Sequence, residues 1–335
     1  MRTKIFSIAL MAAATSVLFL SCNKNETAPK TPDVYVAGYE SNGTNNVAKL
    51  WKNGTTQSLT DGTNTAIAYS VFVSGNDVYV AGYDGKVAKL WKNGTAQSLT
   101  DGSNQAYAYS VFVSSNDVYV AGYESNGTNS IAKLWKNGTA QGLTDGTNDA
   151  QARSVFVSGN DVYVAGYVSN GTNDVATLWK NGTAQSLTDE SNSAAVVCVF
   201  VSGKDVYVTG VEYNENNIGV ATLWKNGTAQ SLTDGTNSAV AFSVFVSGSN
   251  VYVAGEEFNG NYSVAKLWKN GTAQSLTDGT NSAEAHSVFV SGSNVYVAGE
   301  ESNGGYWVAT LWKNGTEQSL TDGTNSAYAQ SVFVK

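Results

Sequence analysis

Few side chains in this sequence are equipped for chemistry, and their scarcity narrows what it can do. There is one histidine, His286, so a Ser-His-Asp triad or a histidine-based metal site would have to rest on a single residue. Cys198 stands where six matching segments carry Ser70, Ser110, Ser154, Ser243, Ser287 and Ser331, so it reads as a small packing residue. No metal, cofactor or catalytic residue is expected on these grounds. Carboxylates are more plentiful: Glu212, Glu256, Glu257, Glu284, Glu300 and Glu301 could supply an acid and a base or nucleophile for glycoside hydrolysis. Spacing alone does not set the separation that such a pair needs.

A more specific signal lies in residues that vary against a constant background. Seven segments read Ala-x-Ala-x followed by Ser or Cys, with Val196 replacing the second alanine in one, and their x pairs are Ile67 and Tyr69, Tyr107 and Tyr109, Gln151 and Arg153, Ala195 and Val197, Val240 and Phe242, Glu284 and His286, and Tyr328 and Gln330. Aromatic, aliphatic, acidic, basic and amide side chains at one position are incompatible with a core packed to fixed density. These positions are therefore expected to rim a shared opening and bind a ligand. A second variable family covers residues 39–46, 84–86, 123–130, 167–174, 211–219, 256–263 and 300–307, read as loops. It adds Tyr213, Phe258, Tyr262, Tyr306 and Trp307 beside the glutamates. Rings that stack on apolar faces, with acids and amides fixing orientation, suit a glycan, peptide or protein ligand.

The elements that must position these residues follow from an internal repeat. Trp51, Trp91, Trp135, Trp179, Trp224, Trp268 and Trp312 recur at spacings of 40, 44, 44, 45, 44 and 44, a period typical of propeller blades. Within the unit, SVFV, VYVAG, VAKLWK and TAQSLT read as four strands, the first two joined by turn chemistry at residues 74–77 and the last two by Asn93-Gly94. Apolar strands suit the covered inner part of a blade, and the polar TAQSLT strand suits its outer edge. No sustained helical period appears outside the N-terminal segment. The first copy begins with the second strand at Asp33 and the last residues supply a first strand, so ring closure would complete one blade from both ends. The expected fold is all-β: a seven-bladed propeller of four antiparallel strands per blade over residues 33–335, with a β-solenoid as the minor reading.

Two motif families within the repeat have plain explanations. The Asn-Gly-Thr triplets, such as Asn53-Gly54-Thr55, read as hairpin turns at positive φ rather than glycan acceptors. The Asp-Gly pairs at Asp61, Asp101, Asp145, Asp234, Asp278 and Asp322, with Asp189-Glu190 in the remaining copy, lack a calcium-loop spacing and read as turns.

Ahead of the repeats, Arg2 and Lys4 precede an apolar run to Leu20, the order of an export signal over residues 1–21. Ser21-Cys22 after Leu18-Phe19-Leu20 resembles a bacterial lipoprotein cleavage site, with Cys22 as the lipidated residue and residues 22–32 as a flexible tether. With Cys22 acylated, Cys198 has no disulfide partner. The expected location is a bacterial cell envelope, at the outer membrane, with membrane contact through the anchor alone. A net charge of −8 disfavours nucleic acid, whose phosphates need clustered cations. A monomer is expected.

VYVAGY, VAKLWKNGT and SLTDGT resemble the repeats of highly repetitive bacterial β-propellers, including tethered ones from the Bacteroidetes. The resemblance covers Asp33 to Lys335 and implies fold and export, with little about activity. The near-symmetry of the copies favours a binding scaffold, because catalysis asks for distinct groups gathered at one locus. The alternative is a propeller glycosidase or lyase using the carboxylates.

Overall fold

A computed structural model describes residues 31–335; the expected export signal and Cys22 lie outside the described residues. Residues Asp33–Lys335 form one compact unit of seven four-stranded antiparallel sheets. The first seven strands are β1 (Val34–Ser41), β2 (Asn46–Lys52), β3 (Thr55–Ser58), β4 (Ala66–Ser74), β5 (Asp77–Asp84), β6 (Val87–Lys92) and β7 (Thr95–Ser98). The sheet β4-β5-β6-β7 is the pattern that the later copies repeat.

The local chemistry of the turns explains the hairpins. Asn93 and Gly94 take φ values of 51° and 79°, the left-handed pair that a type I′ turn demands. At the same end of the blade, Asp77 receives a hydrogen bond from Asn93 Nδ2 at 2.8 Å and an ion pair from Lys92 at 2.7 Å. The Lys92 ammonium also sits 5.3 Å from the Tyr79 ring centroid. One cluster thus ties the β4–β5 turn to the β6–β7 turn. Both turn families lie at one end of the ring, as their constancy in sequence predicts.

Packing between blades follows from the strand period. Side chains alternate between the two faces of a sheet, so each blade divides its apolar residues between its two neighbours. Tyr35, Ala37, Ala48 and Leu50 of one sheet meet Ala66, Ala68, Val71, Val73, Val80 and Trp91 of the next. All seven repeat tryptophans are buried in such interfaces. The outer strands are exposed at every position, matching their polar sequence.

Phe72 of SVFV faces the other neighbour and touches Phe112 and Phe333 at centroid distances of 4.8 and 5.0 Å. The same contact continues through Phe156, Phe200, Phe245 and Phe289, so seven phenylalanines close a girdle around the axis. Strand β4 is also an edge strand on its inner side, and its orphan N–H groups need partners. Val111 N donates to Ser70 Oγ at 3.2 Å, and five further Val-to-Ser bonds link inner strands around the ring. Cys198 occupies the seventh serine position.

The ring closes as the split repeat predicts. The C-terminal strand Ala327–Val334 pairs antiparallel with β1 from Val34↔Val334 to Glu40↔Ala327. Asp33 and Lys335 exchange backbone hydrogen bonds of 2.8 and 2.9 Å at its end. The seven-bladed propeller is therefore the fold of the described chain.

Candidate functional site

The Ala-x-Ala-x segments, which precede the SVFV run in sequence, are part of the inner strands. In β4 the register runs Ile67↔Tyr83, Ala68↔Gly82, then Ser70↔Ala81, so Tyr69 is left without a partner. This is a β-bulge, and it recurs in every blade at the second x position. The opposing glycine is what permits it. A Cβ on Gly82 would stand 2.0 Å from the Ile67 carbonyl oxygen, and the corresponding glycines meet the same obstacle.

The bulge decides where the side chain goes. Tyr69, Tyr109, Arg153, Val197, Phe242, His286 and Gln330 all line one axial cavity of about 400 Å³, with the seven Ser and Cys positions below them. The first x positions behave differently. Ile67, Tyr107, Gln151, Val240, Glu284 and Tyr328 do not line it, and only Ala195 does. They remain in the ladder and pair with strand residues Tyr83, Tyr123, Tyr167, Glu256, Glu300 and Tyr39, while Ala195 pairs with Val211. The expectation of fourteen equivalent rim positions is thus corrected to the seven second-x positions plus Ala195 on the cavity, with the other six first-x residues in a flanking layer of cross-strand pairs. In six copies the sequence reading places the partner residue after the VYVAG glycine in a loop, Tyr83 being the exception; its own variation (Tyr, Val or Glu) is the signal that it faces the same region.

The connecting loops are shorter than expected, because their ends belong to strands. Residues 42–45 turn on Asn42 Oδ1, which accepts from Thr44 N and Asn45 N at 3.0 and 2.8 Å, while Asn42 Nδ2 donates to Gly62 O. Asp61 Oδ1 accepts from Thr63 N and Oγ1 at 2.9 and 2.7 Å, so the Asp-Gly motif is a self-satisfied turn, as its sequence predicts. Tyr262 and Tyr306 on these loops, and Phe258 at the end of the strand Asn250–Phe258, are exposed and are not among the cavity-lining residues. Tyr213 borders a separate groove with Glu212 and Asn214, and Trp307 packs on Tyr328 at 5.9 Å. The loop aromatics are therefore not gathered into one site.

The cavity is polarised around its circumference. On one side Tyr69 and Tyr109 pack at 5.0 Å and Tyr83 meets Tyr107 at 4.3 Å. The Arg153 guanidinium lies 4.3 Å from the Tyr109 centroid, a stacked cation without an ion-pair partner among the described residues. Burial pushes the Tyr69 and Tyr109 phenols well above their ordinary range, and Tyr83 up to about 12, so these rings stay neutral donors. Val197 and Phe242 continue the wall as an apolar arc.

Three blades on from Arg153 the wall becomes acidic. His286 Nε2 lies 2.7 Å from Glu300 Oε1 and 3.6 Å from Glu284 Oε2, with the Phe242 ring tilted against it at 5.0 Å. Burial alone would lower the imidazole pKa, but the Glu300 and Glu284 carboxylates outweigh it and raise it to about 9. Burial first, then the neighbouring Glu256, pushes Glu284 up to about 7. Burial also raises Glu300, which is 2% exposed and whose Oε2 has no hydrogen-bond partner. The sequence offers Glu284 and Glu300 among six candidate carboxylates and His286 as a lone histidine, and only the strand pairing Glu284↔Glu300 brings the three together.

The architecture has solved counterparts. The β-propeller domain of the trilobed protease from Pyrococcus furiosus, described as having an open velcro topology, matches with a TM-score of 0.54 at 10% identity over 88% of this chain and 98% of that one. TolB from Acinetobacter baumannii aligns with a TM-score of 0.49 at 12% identity, over 71% of this chain and 61% of that one. At 10% identity the likeness to the protease propeller domain is one of fold. No protein-family model and no curated protein matches the sequence.

Proposed function

We propose that this protein is a binding scaffold whose axial cavity receives part of a glycan, peptide or protein ligand, and that residues 1–32 export and tether it through Cys22. The observation that carries the binding reading is the convergence of all seven bulged, variable side chains on one cavity while the strands and turns that hold them stay constant. A volume of about 400 Å³ suits a sugar ring, a chain terminus or one large side chain. Tyr69 and Tyr109 offer ring faces, Arg153 an anion contact, and Gln330 an amide. The export and anchor reading rests on the sequence order of Arg2, Lys4, the apolar run and Cys22.

A glycosidase or lyase is the second reading, because a carboxylate oxygen of Glu284 lies within 4.8 Å of one on Glu300. Against it, Glu300 is nearly inaccessible and held by His286, which leaves no room for a sugar between the two acids. The test is an array screen of the full-length protein against glycans and peptides, followed by the Tyr109→Ala/Arg153→Ala double variant. Array hits should lose most of their signal in that variant and keep it in Phe258→Ala/Tyr262→Ala. The reverse pattern would move the site to the loops and sink the cavity reading.

A further inference from the structure

Only one blade combines Glu284, His286 and Glu300; the corresponding three positions are Ile67, Tyr69 and Tyr83 in the second blade and Ala195, Val197 and Val211 in the fifth. One ligand atom from each residue of this trio lies within 4.8 Å of the others. The two measured edges, 2.7 Å from His286 Nε2 to Glu300 Oε1 and 3.6 Å to Glu284 Oε2, bracket the edge of about 3.3 Å for a tetrahedral zinc site with N and O ligands. Glu300 is 2% exposed, and its second oxygen is buried without a partner. Glu256 contributes another buried, unpartnered oxygen from the adjacent blade. An uncompensated buried carboxylate oxygen is costly, and three glutamates here face a single imidazole.

We propose that Glu284, His286 and Glu300 bind one divalent transition-metal ion, with zinc the best fit. The mixed nitrogen and oxygen donor set suits zinc or a neighbouring first-row metal; calcium prefers six to eight oxygens. A dication offsets the excess of carboxylates and takes the place of the proton between His286 and Glu300. His286 also lines the axial cavity, so the fourth coordination position opens toward it and is free for water or a ligand donor. Glu256 acts from outside the coordination shell by adding negative charge. The assignment does not rest on the ligand-binding role proposed for the cavity.

The experiment titrates the full-length protein with Co²⁺ as a spectroscopic probe and Zn²⁺ as competitor. One Co²⁺ per chain should bind, with visible absorption bands of low-symmetry four-coordination, and one equivalent of Zn²⁺ should bleach them. His286→Gln and the milder, half-buried Glu284→Gln should each weaken Zn²⁺ binding about 10-fold or more, given that even outer-shell changes cost 10- to 100-fold. Cys198→Ser should leave binding unchanged, although Cys198 borders the same cavity. Absence of the Co²⁺ spectrum, affinity unaltered in both ligand variants, or affinity lost in Cys198→Ser would each overturn the assignment.

Discussion

The two ends of the ring solve opposite problems with the same repeat. At the turn end, Lys92, Asp77, Tyr79 and Asn93 form a cluster that recurs with Lys136, Asp117, Tyr119 and Asn137, and again with Lys180, Asp161, Tyr163 and Asn181. Each side chain there has its partners within its own blade, so a change in one breaks several contacts. At the cavity end, Tyr69, Arg153, Phe242 and His286 occupy one structural position in different blades. The bulge makes this tolerable: a residue released from the ladder can change without shifting the register of the strand that carries it. Constancy marks where the fold is held, and variation marks where the backbone has let go of a residue.

This contrast can be broken by stability measurements. Trp91→Ala empties a fully buried interface position and should cost about 3–5 kcal/mol in urea unfolding. Tyr109→Ala removes ring contacts at the cavity wall and should cost about 0.5–1.5 kcal/mol. Equal losses would mean that the variable residues are part of the core after all. Gly82→Ala tests the bulge itself. Its Cβ collides with the Ile67 carbonyl, so the strand must shift, at about 1–3 kcal/mol by urea unfolding, and Tyr69 should lose its place on the cavity. A neutral effect would show that the glycine is dispensable.

The smallest effect sharpens the comparison through pH. Asp77 is held below the usual carboxylate range by Lys92 and Asn93, and Asp61 by the Thr63 amide and hydroxyl. A folded-state pKa below the unfolded value of about 3.9 means that these groups stabilise the fold above that pH, and that the contribution fades as pH falls through their lowered values. From neutrality down to about pH 4 the raised Glu284 and Glu300 carboxyls take up protons and add stability; below about pH 4 melting temperature should drop, with a shallower drop in Asp77→Asn. An Asp77→Asn profile identical to the parent's would remove the turn cluster from the account.

Much of the fold was legible because its determinants are local and repeated. Asn93-Gly94 specifies a type I′ turn from two residues alone, and the Asp33 start with the Val334 end implies a blade shared between the termini. The site was legible only in part. Tyr69 and Ile67 look equivalent in the Ala-x-Ala-x pattern, yet the cavity takes only Tyr69, because the register against β5 skips that residue. The loop aromatics Tyr262 and Tyr306 looked like site residues by type, but their short Asn-capped turns leave them in solvent.

By itself the sequence determined the strand pattern, the turn types, the number of blades and the closure of the ring, since each follows from contacts within a repeat or between identical neighbours. Only the tertiary structure decided which variable residues face one another. Tyr69 and His286 are far apart along the chain, and they share a cavity because seven bulges converge on an axis that exists only once the ring has closed.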